Sequence, residues 1–275
     1  MRKASIPFAL CALLIVAPLV GCNKIQARAE LKKGNKFYKE EAYKDALTQF
    51  QRGLQLDPAA TFAWRSVGLA SMALFKPGVT SAENTKYADL AVDAFQKYLK
   101  EYPQDRKVEE YLVGMWVNSG QYDKAIAYLK QQRLNQPENT KLNGAIVNVM
   151  IKASRFKDAL DFVDNYGRRD PQLYYTIETQ AWSRSYNDPT VTLEDRKQVV
   201  DLGLQAAQKA VDARPDYMEA MVYYNLLYRE KAKLTLDPKE QDALKAKADE
   251  WRDKALAIRE RQKAAGTKPL PAPAK

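Results

Sequence analysis

Five prolines set a ruler along this chain. Pro58, Pro103, Pro137, Pro171 and Pro215 each follow an amphipathic segment, at steps of 45, 34, 34 and 44 residues. A period of this length means that one small supersecondary unit is repeated, and that no unit can bury its apolar face alone. Phasing on the prolines aligns small and large residues. The first unit carries Gly34, Phe37, Tyr43, Ala46, Phe50, Gly53 and Pro58. The third carries Leu112, Trp116, Gly120, Tyr122, Ala125, Leu129 and Pro137, and the fourth Ile146, Met150, Phe156, Ala159, Val163, Tyr166 and Pro171. The second opens with Trp64, Val67 and Gly68 and closes with Ala91, Phe95 and Pro103. The fifth is degenerate, with Ala181 opposite Gly203, and a sixth begins near Met218 with Tyr224 and Tyr228 at large-residue positions. Small residues let two antiparallel helices approach closely; large ones fill the gaps within and between pairs.

This pattern resembles the tetratricopeptide (TPR) repeat over about residues 27 to 262, with Glu30, Asn143, Ile177 and Met221 departing from it where Trp is favoured. The resemblance implies an all-α fold, a right-handed α-solenoid of about six TPR-type helix pairs. The two long steps place insertions between the helices of units two and five. Lys76-Pro77-Gly78 is a turn signal, and Thr80 with Glu83 reads as a capping box for a long helix to about Glu101. Asn187-Asp188-Pro189 breaks the fifth unit before a start at Thr192 with Asp195. Asp237-Pro238-Lys239-Glu240 supplies a cap, a first-turn proline and an acid. Extended second helices are therefore expected in units 2, 5 and 6. The last carries a narrow apolar stripe, Leu244, Ala248, Trp251, Ala255 and Ile258, suited to a terminal cap. Residues 263–275, rich in Pro, Ala and Lys, cannot supply a core and are expected to be disordered.

The start of the chain follows other rules. Arg2 and Lys3 precede a charge-free run to Val20 that is too short for a comfortable membrane span, the layout of an export signal. It ends in Leu19-Val20-Gly21-Cys22, which resembles the bacterial lipobox. The resemblance implies cleavage of residues 1–21 and lipidation of Cys22, with 22–26 as a short tether. Cleavage removes the only other cysteine, Cys11, so no internal disulfide is expected. Two or more acyl chains make such an anchor effectively permanent. Asn23 after the anchor favours, by resemblance, the outer membrane facing the periplasm.

Composition narrows the chemistry. The chain has no histidine, the commonest general base and metal ligand, and its 11 glycines form no phosphate loop. Glu40-Glu41 and Glu109-Glu110 read as solvated helix faces. No cofactor, metal, small-molecule substrate or catalysis is expected. The net charge of +10 is either a solvated helical surface or attraction for anionic headgroups and acidic partners. Export argues against nucleic acid.

The resemblance further implies a concave face lined by first helices. By its phasing that face receives Arg28, Leu31, Asn35, Tyr38 and Lys39, then Phe62, Arg65 and Leu69, then Lys107, Glu110, Tyr111 and Asn118. Lys141, Asn148 and Lys152 follow, then Tyr175, Glu178, Trp182 and Tyr186, and lastly Glu219, Tyr223 and Arg229. Each residue either faces a partner or packs between repeats. The early half suits an acidic or carboxylate-ended segment and the aromatic later half an apolar one. A two-carboxylate clamp known in the resembled family is excluded: Asn35 and Lys107 fit it, but Leu31, Ser66 and Tyr111 do not. The expected function is a protein-binding scaffold for other envelope proteins or peptide segments, tied to the membrane through lipid on Cys22. An accessory protein or enzyme of cell-wall polymer is the alternative, and RNA binding a remoter one.

Overall fold

Every turn of main chain that is not paired in a strand must close its hydrogen bonds locally, and the described residues of this chain close them in helices and the turns between them. The computed structural model describes residues 16–167 and 169–265, and among these the secondary structure is entirely helical. Two compact units divide the chain, one ending at Gln121 and one beginning at Tyr122. The first contains α1 (Val16–Lys39), α2 (Tyr43–Leu56), α3 (Ala63–Leu74), α4 (Ala82–Glu101) and α5 (Arg106–Asn118). The second contains α6 (Tyr122–Asn135), α7 (Lys141–Lys152), α8 (Phe156–Tyr166), α9 (Pro171–Asn187), α10 (Leu193–Ala213), α11 (Met218–Leu234) and α12 (Pro238–Ala264).

Packing within each unit follows the small residues. A Cβ built on Gly68 would lie 2.3 Å from the Phe95 ring, so α3 and α4 meet through a bare backbone on one side and an aromatic on the other. A Cβ on Gly203 would meet the Ala181 methyl at 2.8 Å, the opposition of α9 and α10 expected from the degenerate fifth unit. Ala46, Ala125 and Ala159 are all fully buried. The first core gathers Leu31, Phe50, Leu54, Val67 and Ala94; burying one such side chain stabilises by about 1.5–3 kcal/mol. Leu31 thus belongs to the core rather than to an open face, because it fills the space left by Gly53.

The turns reuse one device. Ala42 N–H donates to Phe37 C=O at 2.9 Å and Glu41 N–H to Tyr38 C=O at 3.1 Å. Gln121 with Trp116, and Arg155 with Met150, repeat the longer bond at 2.7 and 2.8 Å. This is the Schellman closure, which needs a left-handed residue after the helix. Glu41 (φ 59), Gly120 (φ 76) and Ser154 (φ 61) occupy that position in turn. Glu41 is therefore a turn residue and not part of a helix face.

The long helices are confirmed, with two amendments. α4, α10 and α12 span 20, 21 and 27 residues. However, α9 and α11 also reach 17 residues each, so units five and six are extended in both helices. The cap of α4 is Ser81, one residue later than Thr80: its side chain accepts from Asn84 N–H. Asn84 decides this register, because it is buried and its side-chain amide ties down the loop, accepting from Lys76 N–H at 2.7 Å and donating to the Lys76 and Val79 carbonyls. Thr192 and Asp237 cap α10 and α12 as expected. In α12, Leu244, Ala248 and Ala255 are buried, while Trp251 and Ile258 are half-exposed. Residues 22–26, expected as a tether, are helical and exposed within α1, which no proline breaks after Pro18. Residues 1–15 of the expected export signal and 266–275 of the expected tail lie outside the described residues. No helix among those described is long and apolar enough to cross a membrane.

Candidate functional site: a polar cluster and an aromatic strip

First helices of the first unit bring Tyr38, Arg65 and Tyr111 together. The Tyr38 hydroxyl has its pKa raised by burial first and then by the nearby Tyr43 and Tyr111, while Arg65 pulls it down. Tyr38 meets Tyr43 edge-on at 5.2 Å, and Tyr111 lies 5.9 Å from Phe95. Arg65 Nε is buried without a hydrogen-bond partner; its closest acid is Asp105 at 3.9 Å. Sequence phasing passed over Asp105. It caps α5 through the backbone N–H groups of Lys107 and Val108, and it accepts from Tyr98 Oη at 3.0 Å. A capping-residue search would have found the first role, but the second depends on α4 lying alongside. Lys107 is paired with Glu110 at 3.0 Å and lies over the Tyr111 ring. The positive character expected of this face is therefore partly neutralised, though Arg28, Asn35 and Lys39 remain exposed on α1. Phe62 is also exposed.

In the second unit Lys141, Asn148 and Lys152 are exposed along α7. Lys152 borders a cleft of about 410 Å³ with Gln180, Ser183 and Arg184 of α9. Arg229 is committed to its own neighbours, donating to Asn225 Oδ1 at 2.9 Å and to Asp249 Oδ1 of α12 at 2.6 Å.

The most continuous feature is a strip of rings across α9 and α11. Tyr217 lies 5.2 Å from Tyr175, which meets Tyr223 edge-on at 5.8 Å. Tyr223 meets Trp182 edge-on at 5.6 Å, and Trp182 stacks on Tyr186 at 5.0 Å. Four of the five rings were expected from phasing; Tyr217, at the N-cap of α11, was not. Burial pushes the Tyr217 hydroxyl up to about 12 and raises that of Tyr175 as well, so both stay neutral at ordinary pH. Tyr175, Trp182 and Tyr223 are half-exposed and Tyr186 exposed. Such faces can take apolar, planar or cationic groups.

Two acids are buried here, Glu230 and Glu178, the second of which was expected on the open face. Glu230 is 4 % exposed, accepts from Ser185 Oγ at 3.2 Å and pairs with Lys233 at 3.0 Å. Glu178 is 0 % exposed and neither carboxyl oxygen has a hydrogen-bond partner. Desolvation raises its pKa well above the ordinary carboxylate value. Glu178 sits midway along α9 and Glu230 in the C-terminal half of α11, and both are covered by tertiary packing that charge alone does not announce.

Comparison with known families now has a geometry to stand beside. Residues 117–181 match the model of the tetratricopeptide repeat. The described residues form an all-α fold, and the matched stretch runs from the end of α5 through α6, α7 and α8 into α9. Among solved structures, the chain is similar to YrrB, described as a TPR protein with an unusual peptide-binding site: identity is 19%, covering 74% of this chain and 95% of that one, with a TM-score of 0.40. It is also similar to MamA (residues 41 to the end) from Desulfovibrio magneticus RS-1, at 14% identity, 86% and 97% coverage, and a TM-score of 0.32. Curated proteins give no match.

Proposed function

We propose that this chain is a non-catalytic protein-binding scaffold, anchored by lipid on Cys22 in a bacterial cell envelope, that holds segments of other envelope proteins and helps assemble a complex there. The observation that carries the binding role is the strip of five rings along α9 and the start of α11, of which Tyr175, Trp182 and Tyr223 are half-exposed and Tyr186 exposed, leaving apolar faces open along two packed first helices. Clustered aromatic residues of this kind supply contact area at low entropic cost and dominate protein interfaces. The cluster of Tyr38, Arg65 and Tyr111, flanked by the free cations of α1, suits an acidic or carboxylate-ended segment. The anchor rests on the lipobox residues Leu19 to Cys22, with Cys22 exposed on α1. An outer-membrane, periplasm-facing location follows from Asn23.

Crosslinking in intact cells, followed by identification of co-purified proteins, tests the scaffold. The triple variant Arg65→Glu, Lys107→Glu and Lys141→Glu is expected to lose most capture of an acidic partner; unchanged capture would remove that ligand class. Fractionation tests the anchor separately. Cys22→Ala should leave the membrane pellet for the soluble periplasmic fraction, and a variant still wholly in the pellet would count against lipidation.

A further inference from the structure

The aromatic strip ends in two rings that the chain covers with its own cations. The Arg214 guanidinium lies 3.1 Å from the Tyr217 ring centroid. At the other end the Lys233 ammonium lies 5.0 Å from that of Tyr186 and pairs with buried Glu230 at 3.0 Å. A ring, a cation and a buried carboxylate thus form a closed set at the Tyr186 end. The centre of the strip holds the same set with one member missing. Tyr175, Glu178 and Trp182 share one face of α9 at helical spacing, and Glu178 in its ionised form raises the hydroxyl pKa values of Tyr175, Tyr217 and Tyr223. Glu178 is fully buried with both oxygens unpartnered, yet among the described residues no cation of the chain lies over Tyr175, Trp182 or Tyr223.

We propose that the centre of this strip is a receptor for one lysine or arginine side chain of a partner segment, seated against Tyr175, Trp182 and Tyr223 with Glu178 as its counter-ion. The inference rests on the scaffold reading and deepens it. A purely apolar segment would cover the rings and leave the carboxyl unpaired, at the usual cost of a buried polar group without a partner. An acidic segment would meet Glu178 and the neighbouring Glu219. A cation satisfies the carboxyl by a charge-assisted hydrogen bond, lays its methylenes along the rings, and gains a cation–π term that strengthens as water leaves. Half-exposed rings such as Trp182 and Tyr223 must swing to admit it, a rotamer motion that surface side chains make in nanoseconds. The net charge of +10 gives a basic peptide no long-range attraction, so capture of one is a local property.

Calorimetric titration of the full chain with a decapeptide of alternating lysine and alanine, against the same peptide with glutamate for lysine, tests the site. The lysine peptide is expected to bind and the glutamate peptide not. Glu178→Gln keeps the shape of the side chain and removes the charge; it should weaken lysine-peptide binding at least tenfold while its helical circular dichroism stays that of the wild type. Trp182→Leu, which keeps the carboxyl, should weaken it severalfold. Equal affinity for both peptides, or equal affinity of wild type and Glu178→Gln for the lysine peptide, overturns the cation site. Partner capture in cells would then still stand or fall on the crosslinking experiment, so the two failures are distinct.

Discussion

Glu178 illustrates how one side chain can be set against the stability of its surroundings. Its folded pKa is raised by desolvation, so between the ordinary carboxylate value and the folded one the native state holds a proton that the unfolded chain releases. Stability contributed at this position is therefore greatest at acid pH and falls as pH rises out of the ordinary carboxylate range. Glu178→Leu should raise stability at neutral pH by about 1–3 kcal/mol, with a smaller gain at pH 4, as read from urea unfolding at both pH values. A gain that grew toward acid pH would contradict this sign. The opposite kind of residue is Gly68, where space and not charge decides. A methyl placed 2.3 Å from the Phe95 ring must displace it, so Gly68→Ala should cost about 1–3 kcal/mol by thermal or denaturant unfolding, and Gly203→Ala, blocked by the Ala181 methyl at 2.8 Å, a similar amount.

Helices in this chain are specified mostly at their ends. Thr192 both accepts from Asp195 N–H at 3.1 Å and donates to the Asp195 carboxylate at 2.8 Å, and Thr192→Ala should destabilise by about 1 kcal/mol. The Schellman turns make a prediction of the other sign. Glu41 and Ser154 hold the left-handed position that Gly120 fills at no steric cost. Glu41→Gly and Ser154→Gly should each stabilise by about 1 kcal/mol in denaturant titrations, although glycine lowers stability almost anywhere else in a helical protein. At the C-terminal end, α12 lays Trp251 over Tyr224 at a centroid distance of 4.5 Å and buries Leu244 and Ala248. A chain ending at Asp237 would leave the apolar face of α11 wet, and aggregation during purification is the expected outcome, seen by light scattering.

Across the whole molecule, charge and anchor act together in the proposed role. Cleavage of the proposed export signal would take Arg2 and Lys3 from the net +10 and leave a chain still strongly basic, with Lys24, Arg28, Lys32 and Lys33 just beyond Cys22. Near an anionic surface such residues help by about 1 kcal/mol each. Screening would separate the two proposed binding surfaces. Raising salt from 0.05 to 0.5 M shortens the Debye length to a few ångströms. Capture through the exposed cations of the first unit should weaken strongly, while association through the aromatic strip, with its buried carboxyl, should weaken less, as measured by titration with acidic and lysine peptides.

Sequence alone determined the helices, their pairing and the positions of closest approach, because these rest on local rules: periodic small residues, capping side chains, and prolines that cannot continue a helix. Gly34, Ala46, Ala181 with Gly203, Thr192 and Asp237 could all be placed from spacing. The register of α4 slipped by one residue because Asn84, three positions after Ser81, is held by a loop folded back on it. The site was legible only as a list of residues. Phasing gives the face on which Tyr175, Glu178 and Trp182 sit, but whether a side chain on that face reaches water depends on how far the next helix extends. Tertiary packing alone decided that Arg65 would face Asp105 and that Glu178 would be sealed without a partner, since burial and such pairing belong to neighbours brought together from distant positions in the chain.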